Sequence, residues 1–272
     1  MITWAGFNLH LRHEDSTKLP AEIGILPLFP DKAASQSKMK HTMELVKQNT
    51  EFINAGQTPV FGAEQPLYAI CKQLQWHFPE SLGEDKFVIM MGALHIEDKC
   101  QLMMGKMLRR SGWDTALTQA DVLSSGRAQS ALNDHHIKRT RYAHQVSLVS
   151  LSMLRINAYS QYSSNVQGPP ESLEMWSKRQ SADVYMFKYW SLVIELELMM
   201  CRFVRSLREG DFLLYVQVCD ELCAWFFVFD HTNYARWLPL HVRDMVELPV
   251  KHPALYDEYL KGNFTVQKSY RK

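Results

Sequence analysis

A chain of 272 residues with 46% apolar and 22% charged side chains holds enough apolar material for one large core or two modest ones, and general disorder is excluded. Thirty basic against twenty-nine acidic residues leave a net charge of +1, so there is no global electrostatic drive toward nucleic acid or membrane, and any such contact must come from a local patch. The longest apolar runs fall well short of the ~20 residues a bilayer span needs, and "MITWAGFNLHLRHEDS" has no basic leader before an apolar stretch; the expected setting is intracellular, nuclear or cytoplasmic, with no membrane partner.

In chain order, the first thirty residues alternate short apolar pieces with prolines at 20, 27 and 30, which suits a strand and a connecting loop. Met39, Met43, Val46 and Ile53 then recur at near-helical spacing, predicting a helix from Ser35 to about Asn54. Thr58 to Ala63 reads as a short strand, and Pro66 opens a helix running to Trp76. Phe87 to Met91 reads as a second strand that turns at Gly92 into a second helix. Two successive strand-turn-helix units, each strand apolar on both faces, predict adjacent parallel strands covered by helices.

From Thr118 onward the strand signal nearly vanishes. Thr118 with Asp121 resembles a capping box, and helices are expected around 135–165, 172–208, 211–229 and 233–248, broken by "QGPPES" and "REGD". The closing "GNFTVQKSYRK" reads as a short strand returning to the sheet, with a basic tail. The expected fold is thus α/β or α+β and helix-rich, with an α/β core at 1–117, an all-helical lobe at 118–261 and the returning strand at 262–272. Five cysteines, at 71, 100, 201, 219 and 223, are expected to be reduced; Cys219 and Cys223 share a helix face, but no second ligand pair lies near them.

No P-loop, GxGxxG, GxSxG or HExxH occurs. Polar residues cluster at the two strand ends instead: Glu64 follows the first strand, His95 and Glu97 the second. Ligands of parallel sheets sit beyond the carboxyl ends of adjacent strands, so these three form a candidate catalytic group, with Glu64 and Glu97 as ligands for Mg²⁺ or Mn²⁺. The bland alternative is that acidic residues in a first helical turn complement the helix dipole. His95-x-Glu97 also matches half of a nucleobase-deaminase signature, but the required P-C-x-x-C is missing.

Between Lys99 and Arg155, nine basic residues face three acidic ones, and "HHIKRTRYAH" makes Lys138, Arg139 and Arg141 the candidate contacts to DNA or RNA phosphates. "FVFDHTNYARWLPLH" places Asp230, His231, Asn233 and Arg236 in a polar turn at a helix start, with Asp230 or Thr232 as the natural N-cap. That turn either orients a substrate or forms a buried polar network.

"QPLYAICKQLQW", "GEDKFVIMMGALHIE", "SGWDTALTQADVLSSG", "YARWLPLHVRDM" and "GNFTVQKS" resemble segments of a large group of multi-copy, uncharacterised animal proteins that look transposon-derived. The likeness covers nearly the whole chain, and members extend at both ends. The wider relationship is to transposases with a ribonuclease-H-like core carrying a helical insertion, in which strand-end carboxylates bind two metals for phosphodiester chemistry. The group has Asp, in a pattern like "DQPLYA", where this chain has Glu64, and a first catalytic carboxylate would lie on an upstream strand. The resemblance implies a transposon-derived, catalytically inactive domain that retains nucleic-acid binding. The alternatives are a helical protein-interaction module, with exposed aromatics around Trp225 to Phe229, and an active metal-dependent phosphodiesterase.

Overall fold

The computed structural model describes residues 24–25, 35–133 and 136–265. The chain divides into two compact units: the first comprises Met1–Gly92, Arg205–Cys223 and Asn233–Lys272, and the second Ala93–Val204 with Ala224–Thr232. Helix dominates both. Among the described residues no helix is long and apolar enough to cross a membrane.

The first unit is built on a strand pair. Strands β1 (Val60–Ala63) and β2 (Val88–Met91) run parallel in the register Val60 to Val88 through Ala63 to Met91. The predicted adjacency and direction are therefore what the fold adopts. Parallel strands need a crossover, and α2 (Gln65–His77) with the single-turn α3 (Pro79–Leu82) supplies it. Pro66 lies in the first turn of α2, where its missing N–H leaves no bond broken. Helix α1 (Gln36–Ile53) buries Met39 and Met43 and packs on α2.

In the second unit, α4 (Ala93–Leu108) follows β2, then come α5 (Trp113–Gln119), α6 (Ser125–Leu132), the long α7 (Ile137–Asn165), α8 (Leu173–Asp183) and α9 (Tyr185–Glu209), whose last residues belong to the first unit. Helices α10 (Phe212–Val228), α11 (Thr232–Lys251) and α12 (Pro253–Leu260) complete the chain. Most of α10, nearly all of α11 and the whole of α12 belong to the unit that holds the sheet. The boundaries expected at 117/118 and 261/262 do not follow this division. The cause is the apolar stripe of α11 (Tyr234, Leu238, Val242, Met245 and Leu248), all of it buried, which draws the late helices onto the early α/β segment.

Several local expectations are corrected. The single helix expected over 172–208 is two, because Val184 takes an extended backbone between α8 and α9. Thr118 does not cap a helix start; it lies inside α5, and Asp121 sits at positive φ in the following turn. Residues 261–265 form a turn in which Asn263 donates its N–H to the Glu258 carbonyl, and the remainder of the expected returning strand lies outside the described residues, as does the strand expected near the N-terminus.

Gly105 shows how closely the second unit packs. A Cβ there would stand 2.3 Å from the Leu132 carbonyl oxygen, so α4 and the end of α6 meet backbone to backbone. Gly105→Ala should lower stability by about 1–2 kcal/mol: because the atoms met are backbone, the overpacking cost lies in the upper part of its range, about 2–3 kcal/mol, and outweighs a helix-propensity gain of about 1 kcal/mol. A denaturant midpoint equal to or above that of the parent would refute the close contact.

Candidate functional site

Glu64 follows β1 directly and is the exposed N-cap residue of α2, with no side-chain capping bond. His95 and Glu97 lie in the first turns of α4, in the other unit. His95 is half-buried, while Glu97 is only 2% exposed. Both oxygens of Glu97 are engaged. Oε1 accepts from Arg141 Nε at 2.7 Å and from Gln101 Nε2 at 2.9 Å, and Oε2 accepts from the Arg141 guanidinium at 2.6 Å. A bidentate guanidinium fork fills the lone pairs a metal would use. Thus Glu97 and Arg141, one read as a metal ligand and the other as a phosphate contact, bind each other instead.

The rest of the basic segment divides by environment. Lys138 and Arg139 are exposed in the first turn of α7, with no ion pair among the described residues. His136 precedes them in the left-handed conformation without a side-chain capping bond. Lys99 pairs with Asp98 at 2.6 Å, and Arg109 donates to Asn133 Oδ1 at 2.6 Å. His144 is buried. Its Nδ1 lies 2.9 Å from Glu197 Oε1, and Trp113 tilts over its ring with centroids 4.9 Å apart. Burial pushes the Glu197 carboxyl up, opposed by hydrogen bonds from His144, Ser147 and Trp113. His144 therefore serves the interior and not a phosphate surface, while His135 lies outside the described residues.

The polar turn is likewise partly reassigned. Asp230 (φ 57°) donates its N–H to Phe227 O and His231 donates to Phe226 O, so this turn closes α10; Asp230 does not open α11. His231 is half-buried with its ring edge-on to Phe226 and its Nε2 3.5 Å from Lys106 Nζ. Burial and the Lys106 and Lys99 cations push the His231 imidazole down, with Asp230 opposing. Asn233 and Arg236 are exposed and lie in the other unit.

The densest charge constellation in the first unit surrounds Lys72 and lies outside every candidate site of the sequence. Lys72 is 1% exposed, and its ammonium sits 2.7 Å from Glu84 Oε1 and 2.8 Å from Asp244 Oδ2. Glu84 also accepts from Arg243 at 2.7 Å, from Lys251 at 2.9 Å and from Trp76 Nε1 at 3.0 Å. Burial raises the Glu84 carboxyl, but the hydrogen bonds from Lys72 and Lys251 and the Lys72 charge overcome this and hold it far below the usual carboxylate range. Among the described residues, Glu84, Asp244 and Glu247 are the acidic group whose oxygens could converge on one cation. Three protein cations, Lys72, Arg243 and Lys251, already hold those oxygens, so the arrangement is an ion-pair network. The cavity beside it measures about 20 Å³, room for a water and not for a substrate. In sequence, only a lysine inside the apolar "AICKQL" hinted at it.

Residues 160–272 match a domain of unknown function (DUF8702), a stretch shorter than half of the chain. No curated protein matches, and no solved structure does.

Proposed function

We propose that the chain is a catalytically silent, transposon-derived domain of the nucleus or cytosol that contacts nucleic-acid phosphates through the start of α7. The observation that carries this reading is the Glu97–Arg141 pair. It engages the carboxylate that would otherwise hold a metal, and it leaves Lys138 and Arg139 as the exposed cations of that helical turn. The helix start adds its positive dipole end to those two charges, a combination suited to phosphate. The parallel β1–β2 pair with its helical crossover supports descent from a ribonuclease-H-like core, and Glu64 in place of the group's Asp supports loss of two-metal chemistry, which tolerates little displacement of its ligands.

Binding of duplex or single-stranded oligonucleotides, followed by fluorescence anisotropy across a salt series, should weaken steeply with salt. Lys138→Ala with Arg139→Ala should flatten the log–log slope by about 2 units, one per phosphate contact. An unchanged slope refutes the assignment. Purified protein with Mg²⁺ or Mn²⁺ should not cleave DNA or RNA, and cleavage abolished by Glu64→Gln would overturn the silent-domain reading.

A second reading, a protein-interaction module, is favoured by one observation: Phe227 and Val228 at the end of α10 are 78% and 68% exposed.

A further inference from the structure

Helix α7 continues for six turns beyond its basic start with an unusual surface. From Tyr142 to Asn165 its one Lys, Arg, Asp or Glu is Arg155, which is half-buried. A solvent-facing helix normally carries charge on its open side. Here the open side is apolar and regular. Tyr142, Val146, Val149, Met153, Ile156 and Ser160 follow one another at alternating steps of four and three residues, the spacing of a coiled-coil seam. Tyr142, Val149, Met153 and Ile156 are 53%, 55%, 59% and 50% exposed. Arg155 stands two residues beyond Met153, about 200° around the helix from the seam. Thr140, His144 and Ser147, on the side away from the seam, are buried within the unit.

We propose that this seam binds the same seam of a second copy of the chain, with the two helices antiparallel. Three features on the seam select that occupant. First, the seam is self-complementary: in one antiparallel register Met153 faces Val149 of the other copy, Val146 faces Ile156, and Tyr142 faces Ser160. Every core position is then matched, with hydroxyl against hydroxyl at the two ends, as an isologous twofold interface requires. Second, Ser150 and Asn157 flank it on one side and Ser152 on the other. A partner helix with charged flanks would find no counter-charge there, whereas a second copy brings none. Third, Lys138 and Arg139 at the helix start set the direction. Parallel pairing would stack the two basic ends on each other, and antiparallel pairing puts them at opposite ends of a seam about 27 Å long. A single helix pair of this length falls at the small end of specific interfaces, so the expected behaviour is a concentration-dependent monomer–dimer equilibrium.

Sedimentation velocity on the full chain over a concentration series should show dimer growing with concentration. Met153→Glu should abolish it without lowering the thermal midpoint, because the side chain is exposed in the monomer. Orientation is read by disulfide trapping against the parent chain, whose five thiols are buried except for the half-buried Cys223. Ser152→Cys lies beside the twofold axis and should cross-link under mild oxidation, whereas Tyr142→Cys faces Ser160 of the other copy and should not. A chain that stays monomeric throughout, a dimer that survives Met153→Glu, or cross-linking through Tyr142→Cys would each overturn the proposal.

Discussion

Replacing Lys72 by alanine is expected to destabilise the protein by about 3–5 kcal/mol, the range seen when one partner of a buried ion pair is removed. The ammonium is fully enclosed between Glu84 and Asp244, so its loss leaves two carboxylates facing each other across a void, with Arg243 and Lys251 as the cations that still hold them. Lys72→Met keeps most of the volume but removes the same charge, so it should cost nearly as much, and the difference between the two variants reads the packing share. Urea denaturation of the two variants checks this: a loss below about 1 kcal/mol for Lys72→Ala would show that the surrounding cations suffice without it.

Stability should also fall as pH drops below about 6.5, because of His241. The imidazole is completely buried against Tyr215, with Nε2 2.8 Å from the hydroxyl, and burial, aided by the nearby Lys72 charge, pushes it down to about 3. In the unfolded chain it titrates near 6.5. The folded state therefore refuses a proton that the unfolded state accepts. The neutral imidazole's contribution is complete above 6.5 and is lost as pH falls toward 3, at about 1.4 kcal/mol per pH unit. Between pH 6.5 and 5 the expected loss is about 2 kcal/mol, read from urea midpoints, and His241→Phe should remove that slope. An equal slope in the variant would assign the acid sensitivity to other groups.

Whatever is local in this fold could be read from the chain. Two short apolar runs, each followed by a turn and a helix, were enough to place β1 beside β2 in parallel, because a strand–helix–strand order joins parallel neighbours; β2 is largely buried, whereas β1 is half-buried with Gly62 exposed. The bounds of α1, α2 and α10 also fell within a residue or two. The gap at Val184 was invisible, since no Gly or Pro marks it and the apolar period runs on across it. Asp and Thr both favour N-caps, which points to Asp230 or Thr232 as the helix start, yet the tolerance of Asp for left-handed backbone lets Asp230 end the preceding helix instead.

The site residues failed differently. Glu97 and Arg141 both stand out in the sequence, but they are 44 residues apart and each points to a site of its own; nothing in either segment announces the other. The same holds for Lys72, where burial of a lysine is only intelligible once Asp244 is known to be beside it.

That long reach has a consequence during synthesis. Glu84 and its partner Arg243 are 159 residues apart, and at about 5–20 residues per second the ribosome takes roughly 8–30 s to deliver the second after the first. Throughout that interval the nascent Lys72 has Glu84, twelve residues away, but lacks Asp244, and the stripe of α11 that will bury against the sheet unit has not yet been made. The sheet-bearing segment must wait, half-assembled and with its apolar side uncovered, for more than half of the polypeptide to emerge. A need for chaperone cover while the chain is being made is the expected result of that order of arrival, whereas refolding of the finished chain, with every segment present from the start, escapes it.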